Sequence, residues 1–326
     1  MFQALILNQQ DKRTIATINT IDEEQLPDGN VLISVDYSSL NYKDGLAITG
    51  KGKIIRNFPM VPGIDLAGKV LRSQDARYQA GDQVILTGWG VGENHWGGMA
   101  QKARLQADWL VPLPQGLTSQ QAMMIGTAGL TAMLCVQALL DGGIQPEDGE
   151  ILVTGASGGV GSVAVTLLAV LGYQVVAVTG RAAENGPLLT KLGASRIIER
   201  DQFAEPARAL EKQQWAGAID TVGSQMLANI LAQMNYHGVV AACGLAGGFD
   251  LPTTVMPFIL RNVRLQGVDS VNCSLEKRVA AWQKLVELLP ASYFEQACHQ
   301  IDLAQVAEYA AAITNGQVTG RIVVKL

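Results

Sequence analysis

Charge is scarce in this chain, and what there is leans acidic. Of 326 residues only 16% are Asp, Glu, Lys or Arg, and the formal net charge is −5. No overall basic field exists to hold nucleic acid or an anionic membrane, so an anionic ligand must be met by a local patch. Cysteine is scarce as well. Cys135, Cys243, Cys273 and Cys298 are scattered, with no C-x-x-C pair and no histidine at metal-ligand spacing, which predicts a reduced, cytoplasmic protein without a bound metal. The first residues, MFQALILNQQDKR, lack a cationic start, a long apolar core and a small-residue cleavage site, so no secretion signal is expected. The most apolar window, Val160 to Val178, is interrupted by Gly172-Tyr173-Gln174 and predicts a buried helix and then a buried strand, with no membrane span. A hydrophobic share of 48% is enough for sizeable cores, and the length suits two domains.

What the chain does have is a glycine-dense stretch at mid-length, Glu150-Ile-Leu-Val-Thr-Gly-Ala-Ser-Gly-Gly-Val-Gly-Ser162. Ile151 to Val153 suit a strand buried on both faces, and Val160 to Leu171 is apolar nearly all round, as a helix packed on a sheet would be. Gly158, Gly159 and Gly161 let the backbone approach a pyrophosphate, whose charge rests on free N–H groups at the helix start. Ser157, Gly158, Gly159 and Val160 are therefore candidate phosphate contacts. In register with this pattern the first fingerprint glycine is replaced by Ala156, with Gly155 one place earlier. About 20 residues on, an NAD site would offer a carboxylate to the ribose 2′-hydroxyl. From Gly159 to Ala183 there is no Asp or Glu, and the second strand, Gln174 to Val178, ends in Thr179-Gly180-Arg181. A hydroxyl, a bare backbone and a guanidinium suit the 2′-phosphate of NADPH. Arg200, past Ile197-Ile198, is a second cationic candidate, with a solvated surface arginine as the alternative.

Residues 1 to about 115 are rich in short β-type runs, such as Ala4 to Leu7, Val31 to Tyr37 and Gln83 to Leu86, separated by turn signals. Pro112 to Thr118 marks a boundary, and Thr118 with Gln121 forms a capping-box pattern that opens a helix. From Ile151 to Ala242 strand and helix patterns alternate, which predicts a doubly wound parallel sheet. The tail, with helices at Leu275 to Leu289 and Leu303 to Ile313 and a strand at Arg321 to Lys325, is too short for its own core and is expected to pack back on the first domain.

Ser39-Leu-Asn-Tyr-Lys-Asp44, Phe58-Pro-Met-Val-Pro-Gly-Ile-Asp65-Leu-Ala-Gly68 and the glycine loop together resemble the medium-chain dehydrogenase/reductase superfamily, in its zinc-free, quinone-oxidoreductase-like branch. Ile48 to Asn57 and Thr87 to Gly98 are similar to the acrylyl-CoA reductase group of that branch. The resemblance implies a Rossmann cofactor domain, residues 121–269, inserted in a mostly β, GroES-like catalytic domain, residues 1–120 plus 270–326. It implies NADPH as cofactor and a homodimer, and it places nicotinamide contacts at Thr127, Thr131, Leu245 and Ser270. Zinc-dependent members carry a cysteine where Asn41 stands and a histidine where Ile64 stands; an amide and an alkyl chain cannot replace a thiolate and an imidazole.

The chemistry implied is hydride donation to a carbon-carbon double bond beside a thioester, acrylyl-CoA to propanoyl-CoA, with charge developing on the thioester oxygen. Asn41 and Tyr42 are the candidate donors to that oxygen. Tyr42 has two further roles open to it, contact with the nicotinamide ribose or shaping of the pocket. Asp44 orients its neighbours or caps a turn. Gly88 to Gly98, carrying Trp89, Asn94, His95 and Trp96, reads as a pocket wall or lid, with His95 a polar contact rather than a catalyst. Lys51, Lys53 and Arg56 form either a solvated face or a site for CoA phosphates. An NADPH quinone reductase and a non-catalytic NADPH-binding protein are the competing readings.

Overall fold

The computed structural model describes residues 1–326 and divides them into two compact units. One comprises Met1–Thr127, Val271–Val286 and Cys298–Leu326; the other comprises Ala128–Ser270 and Glu287–Ala297. In chain order the first unit begins with β1 (Phe2–Gln10), β2 (Arg13–Ile21), β3 (Val31–Leu40), α1 (Tyr42–Thr49), β4 (Asp65–Ser73), β5 (Gln83–Thr87), β6 (Lys102–Leu105) and β7 (Val111–Pro112), and ends in the first part of α2 (Ser119–Asp141). The second unit continues with β8 (Ile151–Val153), α3 (Gly159–Val170), β9 (Val175–Thr179), α4 (Ala182–Lys191), β10 (Ala194–Glu199), β11 (Trp215–Asp220), α5 (Ser224–Gln233), β12 (Met234–Ala242), α6 (Met256–Arg261) and β13 (Arg264–Gly267). Last come α7 (Leu275–Leu288), α8 (Ala291–Gln296), β14 (Cys298–Asp302), α9 (Val306–Thr314) and β15 (Arg321–Lys325).

In the first unit the strands run β14-β15-β3-β4-β5-β7, with β6 also on β3, and β1 and β2 form a separate hairpin. Alternation along β3 divides its side chains between two cores. Val31, Ile33 and Val35 join Leu66, Val84 and Leu105, whereas Leu32 and Leu40 join Ile322, Val324 and the hairpin's Leu5 and Leu7. The short helix α1 was not foreseen from the β-rich pattern. It exists because Asn41 and Asp44 make a capping box at its start and Gly50, at φ 68°, closes it in the left-handed conformation.

The second unit is a six-stranded sheet in the order β10-β9-β8-β11-β12-β13, every neighbouring pair parallel. Numbered within the unit this is 3-2-1-4-5-6, with its switch point between β8 and β11. Thr118 and Gln121 do exchange hydrogen bonds at the head of α2.

Beside the expected limits of 1–120 plus 270–326 and 121–269, the division into units lies a few residues further along the chain. The boundary falls at Thr127/Ala128, inside α2, because Gly126 (φ 55°, ψ −160°) breaks the helix there. Ahead of the break, the Met124 carbonyl accepts from Arg321 Nε at 3.0 Å, which keeps that segment in the first unit. The tail does not return whole. Glu287–Ala297 belongs to the second unit, where fully buried Tyr293 sets its hydroxyl 3.0 Å from Ser162 Oγ on α3.

Candidate functional site

The glycine loop connects β8 to α3. Gly155, at φ 56°, makes the sharp turn that the fingerprint assigns to its first glycine, so the apparent gap at Ala156 is a one-residue offset. A side chain on Gly161 would collide with the Gly155 carbonyl oxygen, which is the close strand-helix packing required of the last glycine. Gly158 stands at the head of α3 with extended backbone, and an added Cβ there would meet only the Gly155 oxygen at 3.3 Å. Ser157, Gly158, Gly159 and Val160 thus sit together at the helix start, where unsatisfied N–H groups favour an anion.

Next to this loop the end of β9 supplies the groups expected to meet a 2′-phosphate. Ser157 Oγ lies 3.1 Å from Thr179 Oγ1, and the Arg181 N–H donates to Thr179 Oγ1 at 3.3 Å. A Cβ built on Gly180 would lie 3.0 Å from Arg200 Cζ, so the Arg200 guanidinium rests directly against Gly180. Thr179, Gly180, Arg181 and Arg200 are therefore brought together. Arg181 Nη1 donates to Glu184 Oε1 at 2.9 Å. This carboxylate falls one residue beyond the acid-free window seen in the sequence. An open cleft of about 170 Å³ borders Arg200 and is also lined by Phe203, Val222, Ser224 and Met226. Gly223 and Ser224, at φ 77° and 51°, are both left-handed at its rim; no sequence signal pointed to them. Thr131 Oγ1 donates to Ser270 Oγ at 2.7 Å, both residues being buried, while Leu245 is 65% exposed.

In the first unit Asn41, Asp44 and Asp65 form the centre of a buried polar cluster. Asn41 Nδ2 donates to Asp65 Oδ2 at 2.9 Å and lies 3.2 Å from Ser39 Oγ and 3.3 Å from Asp44 Oδ2, while Asn41 Oδ1 accepts from Arg321 Nη1 at 3.0 Å. Asp65 also accepts from Ser39 Oγ at 2.6 Å and from the backbone and hydroxyl of Thr127 at 2.9 and 2.5 Å. Arg321, 2% exposed, adds Ser39 Oγ at 2.9 Å and lies 3.9 Å from Asp65. Asn41 was expected to donate to a substrate oxygen; in this structure its two N–H bonds are directed inward at carboxylates. Likewise Thr127, expected at the nicotinamide, spends its hydroxyl on Asp65. Asp44, expected to orient its neighbours or cap a turn, is a hydrogen-bond acceptor at the head of α1. It accepts from the Asn41 N–H at 2.9 Å and from Gly63 and Ile64 at 3.1 and 3.0 Å. Burial raises its pKa to about 7, against the lowering effect of those donors, with the nearby Asp65 charge adding to the rise. Tyr42 differs from all of these. It is 40% exposed and its hydroxyl makes no hydrogen bond within the protein.

Among the remaining candidates, His95 Nε2 lies 2.8 Å from the Arg104 carbonyl, and its ring meets Trp109 edge-on at 5.1 Å. Burial pushes its pKa down, as suits a neutral structural contact. Lys51 bonds Asn315 Oδ1 at 2.7 Å and Thr314 Oγ1 at 3.1 Å, and Lys53 and Arg56 are exposed. Asp65 and Arg321 were missed as site residues. A cation opening the apolar strand Arg321–Lys325 was the available signal.

A six-stranded 3-2-1-4-5-6 sheet with a glycine cradle, carried in one chain with a mostly antiparallel β unit, defines a two-domain nicotinamide-type dehydrogenase or reductase. Family models agree on both parts. Residues 27–115 match the alcohol dehydrogenase GroES-like domain, and residues 159–290 match the zinc-binding dehydrogenase domain. The chain belongs to the medium-chain dehydrogenase/reductase superfamily, in the acrylyl-CoA reductase group of its quinone-oxidoreductase-like branch. It is 65% identical to a probable acrylyl-CoA reductase, AcuI, of Escherichia coli and 51% identical to the acrylyl-CoA reductase AcuI of Ruegeria pomeroyi, each match covering 99% of both chains. Among solved structures, the YhdH oxidoreductase of Salmonella enterica in complex with NADP aligns at a TM-score of 0.98 with 64% identity over 99% of both chains. The zinc in the name of the second family model finds no ligands here. Asn41 is engaged with Asp65, Ser39 and Arg321, Ile64 has no donor atom, and no cluster of three His, Cys, Asp or Glu side chains could hold a metal.

Proposed function

We propose that this chain binds NADPH and reduces the 2,3 double bond of acrylyl-CoA, giving propanoyl-CoA. The cofactor half of the reading rests on the cradle at Ser157 to Val160 and on Thr179, Gly180, Arg181 and Arg200, which offer hydroxyls and two guanidiniums to a phosphorylated ribose. Thr131, Leu245 and Ser270 are assigned to the nicotinamide end, and the cleft beside Arg200 to the adenine end. NADPH supplies the hydride when bound. What falls to the protein is to orient the thioester, steady the charge that collects on its oxygen as C3 is reduced, and see C2 protonated. A single observation supports giving this role to Tyr42, which is an exposed phenol without an internal partner. It is set at the first residue of a helix whose start is locked by Asn41 and Asp44. Asn41 and Asp44 act here as positioning residues.

Lys51, Lys53 and Arg56 are assigned to the CoA phosphates. A homodimer in the cytoplasm completes the proposal. A second copy of the chain would cover Phe249, Val255 and Ile259, which are 85, 64 and 71% exposed in the segment that leads into β13, the edge strand of its sheet. The deciding experiment is NADPH consumption with acrylyl-CoA, crotonyl-CoA and a small quinone in parallel. Turnover of the thioesters well above the quinone is expected. Turnover of the quinone alone would favour an NADPH quinone reductase, and tight NADPH binding without turnover a non-catalytic role.

A further inference from the structure

Trp89 is held in a way that bulk packing does not require. It has φ 58° and stands between Gly88 at 84° and Gly90 at 72°, so three consecutive residues are left-handed, and a bulky residue persists there only when its surroundings enforce it. The enforcing group is Arg278 on α7, which is entirely buried. Its guanidinium carbon lies 4.8 Å from the centre of the Trp89 ring. Its Nη1 donates to Thr87 O at 2.6 Å and Thr87 Oγ1 at 2.9 Å, and its Nη2 to Val271 O at 3.1 Å. The Trp89 N–H donates to that same Val271 carbonyl at 3.1 Å. One planar cation thus fixes both the ring and the strand end that carries it, which a lysine's point charge does less well.

The ring so fixed lies at the same end of its unit as Tyr42. Gly88 N–H donates to Ile64 O at 3.1 Å, and Ile64 N–H to Asp44 Oδ1 at 3.0 Å. Lys43, next to Tyr42, meets Glu93 of the Trp89 loop at 2.8 Å. Trp89 itself is only partly buried. We infer that Arg278 is a positioning residue that holds Trp89 as the wall measuring the acyl chain, so that this pair sets the preference for short 2-enoyl thioesters. The inference rests on the thioester-reductase reading.

The test compares kcat/KM for acrylyl-CoA and 2-hexenoyl-CoA in wild type, Trp89→Ala, Arg278→Met, Arg278→Lys and the Trp89→Ala/Arg278→Met double variant. Trp89→Ala is expected to move the ratio about tenfold toward the longer chain, the scale of one or two methylenes in an apolar pocket. Arg278→Met is expected to move it in the same direction and Arg278→Lys to restore much of it. The double variant is expected to match Trp89→Ala alone, since Arg278 acts through that ring. A general fall on both substrates with Arg278→Met, or additive shifts in the double variant, overturns the inference. Should Arg278→Met fail to fold, Trp89→Ala and Arg278→Lys still decide it, and an unmoved ratio in Trp89→Ala sinks it. A wild type inert to both thioesters defeats the reductase reading itself, whereas an active wild type with unmoved ratios defeats only the role of Arg278 and Trp89.

Discussion

Arg321 grips the Asn41 amide from one side, Nη1 to Oδ1 at 3.0 Å, while Asp65 takes its N–H from the other at 2.9 Å. An amide held at both ends is a strut between two buried charges. Asn41→Ala is expected to cost about 1–3 kcal/mol of stability, the usual penalty for leaving buried polar groups without a partner. A denaturant titration should show the midpoint falling with an unchanged slope. A large loss of kcat at undiminished stability would return Asn41 to the role of oxyanion donor.

Tyr42 should behave in the opposite way. With no internal hydrogen bond to lose, Tyr42→Phe is expected to leave stability within about 0.5 kcal/mol of wild type. It should lower kcat/KM for acrylyl-CoA by roughly 10²- to 10³-fold, as removal of a positioned donor or acid does. Melting curves and steady-state kinetics on one preparation check both halves.

Cofactor choice is tested at Arg200 and Arg181. Each arginine-to-alanine variant is expected to lower the kcat/KM preference for NADPH over NADH about tenfold, the scale of one charge-assisted hydrogen bond, with NADH kinetics little changed. Gly180→Val should act in the same direction, because its side chain would occupy space taken by the Arg200 guanidinium. An intact preference in Arg200→Ala would make it a plain surface arginine.

The buried carboxyl of Asp44 makes stability depend on pH. Its pKa is 3.8 without burial and about 7 in the folded chain, so the folded state binds the proton more tightly. Its contribution is fully present below about pH 4 and is lost as pH rises through 7, at up to about 1.4 kcal/mol per pH unit. Asp44→Asn should flatten this part of the stability profile. It should also weaken the fold at every pH, since an amide nitrogen cannot accept from the Asn41 N–H. An unchanged slope between pH 4 and 7 would show that Asp44 does not titrate there.

Much of the candidate cofactor site could be proposed along the chain because it is local. Gly155 to Gly161 act through the backbone of one turn, and Thr179 to Arg181 follow on one strand end. Arg200 needed only the parallel pairing of β10 beside β9 to arrive at Gly180. The hydrogen bonds of Asn41 were hidden for the opposite reason. Its partners Ser39, Asp65 and Arg321 stand up to 280 positions away, and no periodicity reports such a meeting. Arg278 carries an α7 pattern that reads as any amphipathic helix, so its burial against Trp89 was invisible.

By itself, the order of residues determined the two-part architecture, the parallel sheet, the dinucleotide turn and the lack of zinc ligands. These follow from hydrophobic period, glycine placement and residue chemistry, all short-range properties. Tertiary structure alone decided which polar atoms are spent and which are left for a ligand. That balance depends on distant side chains sharing a dry interior, where Asn41 is consumed by Asp65 and Arg321 while Tyr42 keeps its hydroxyl unused.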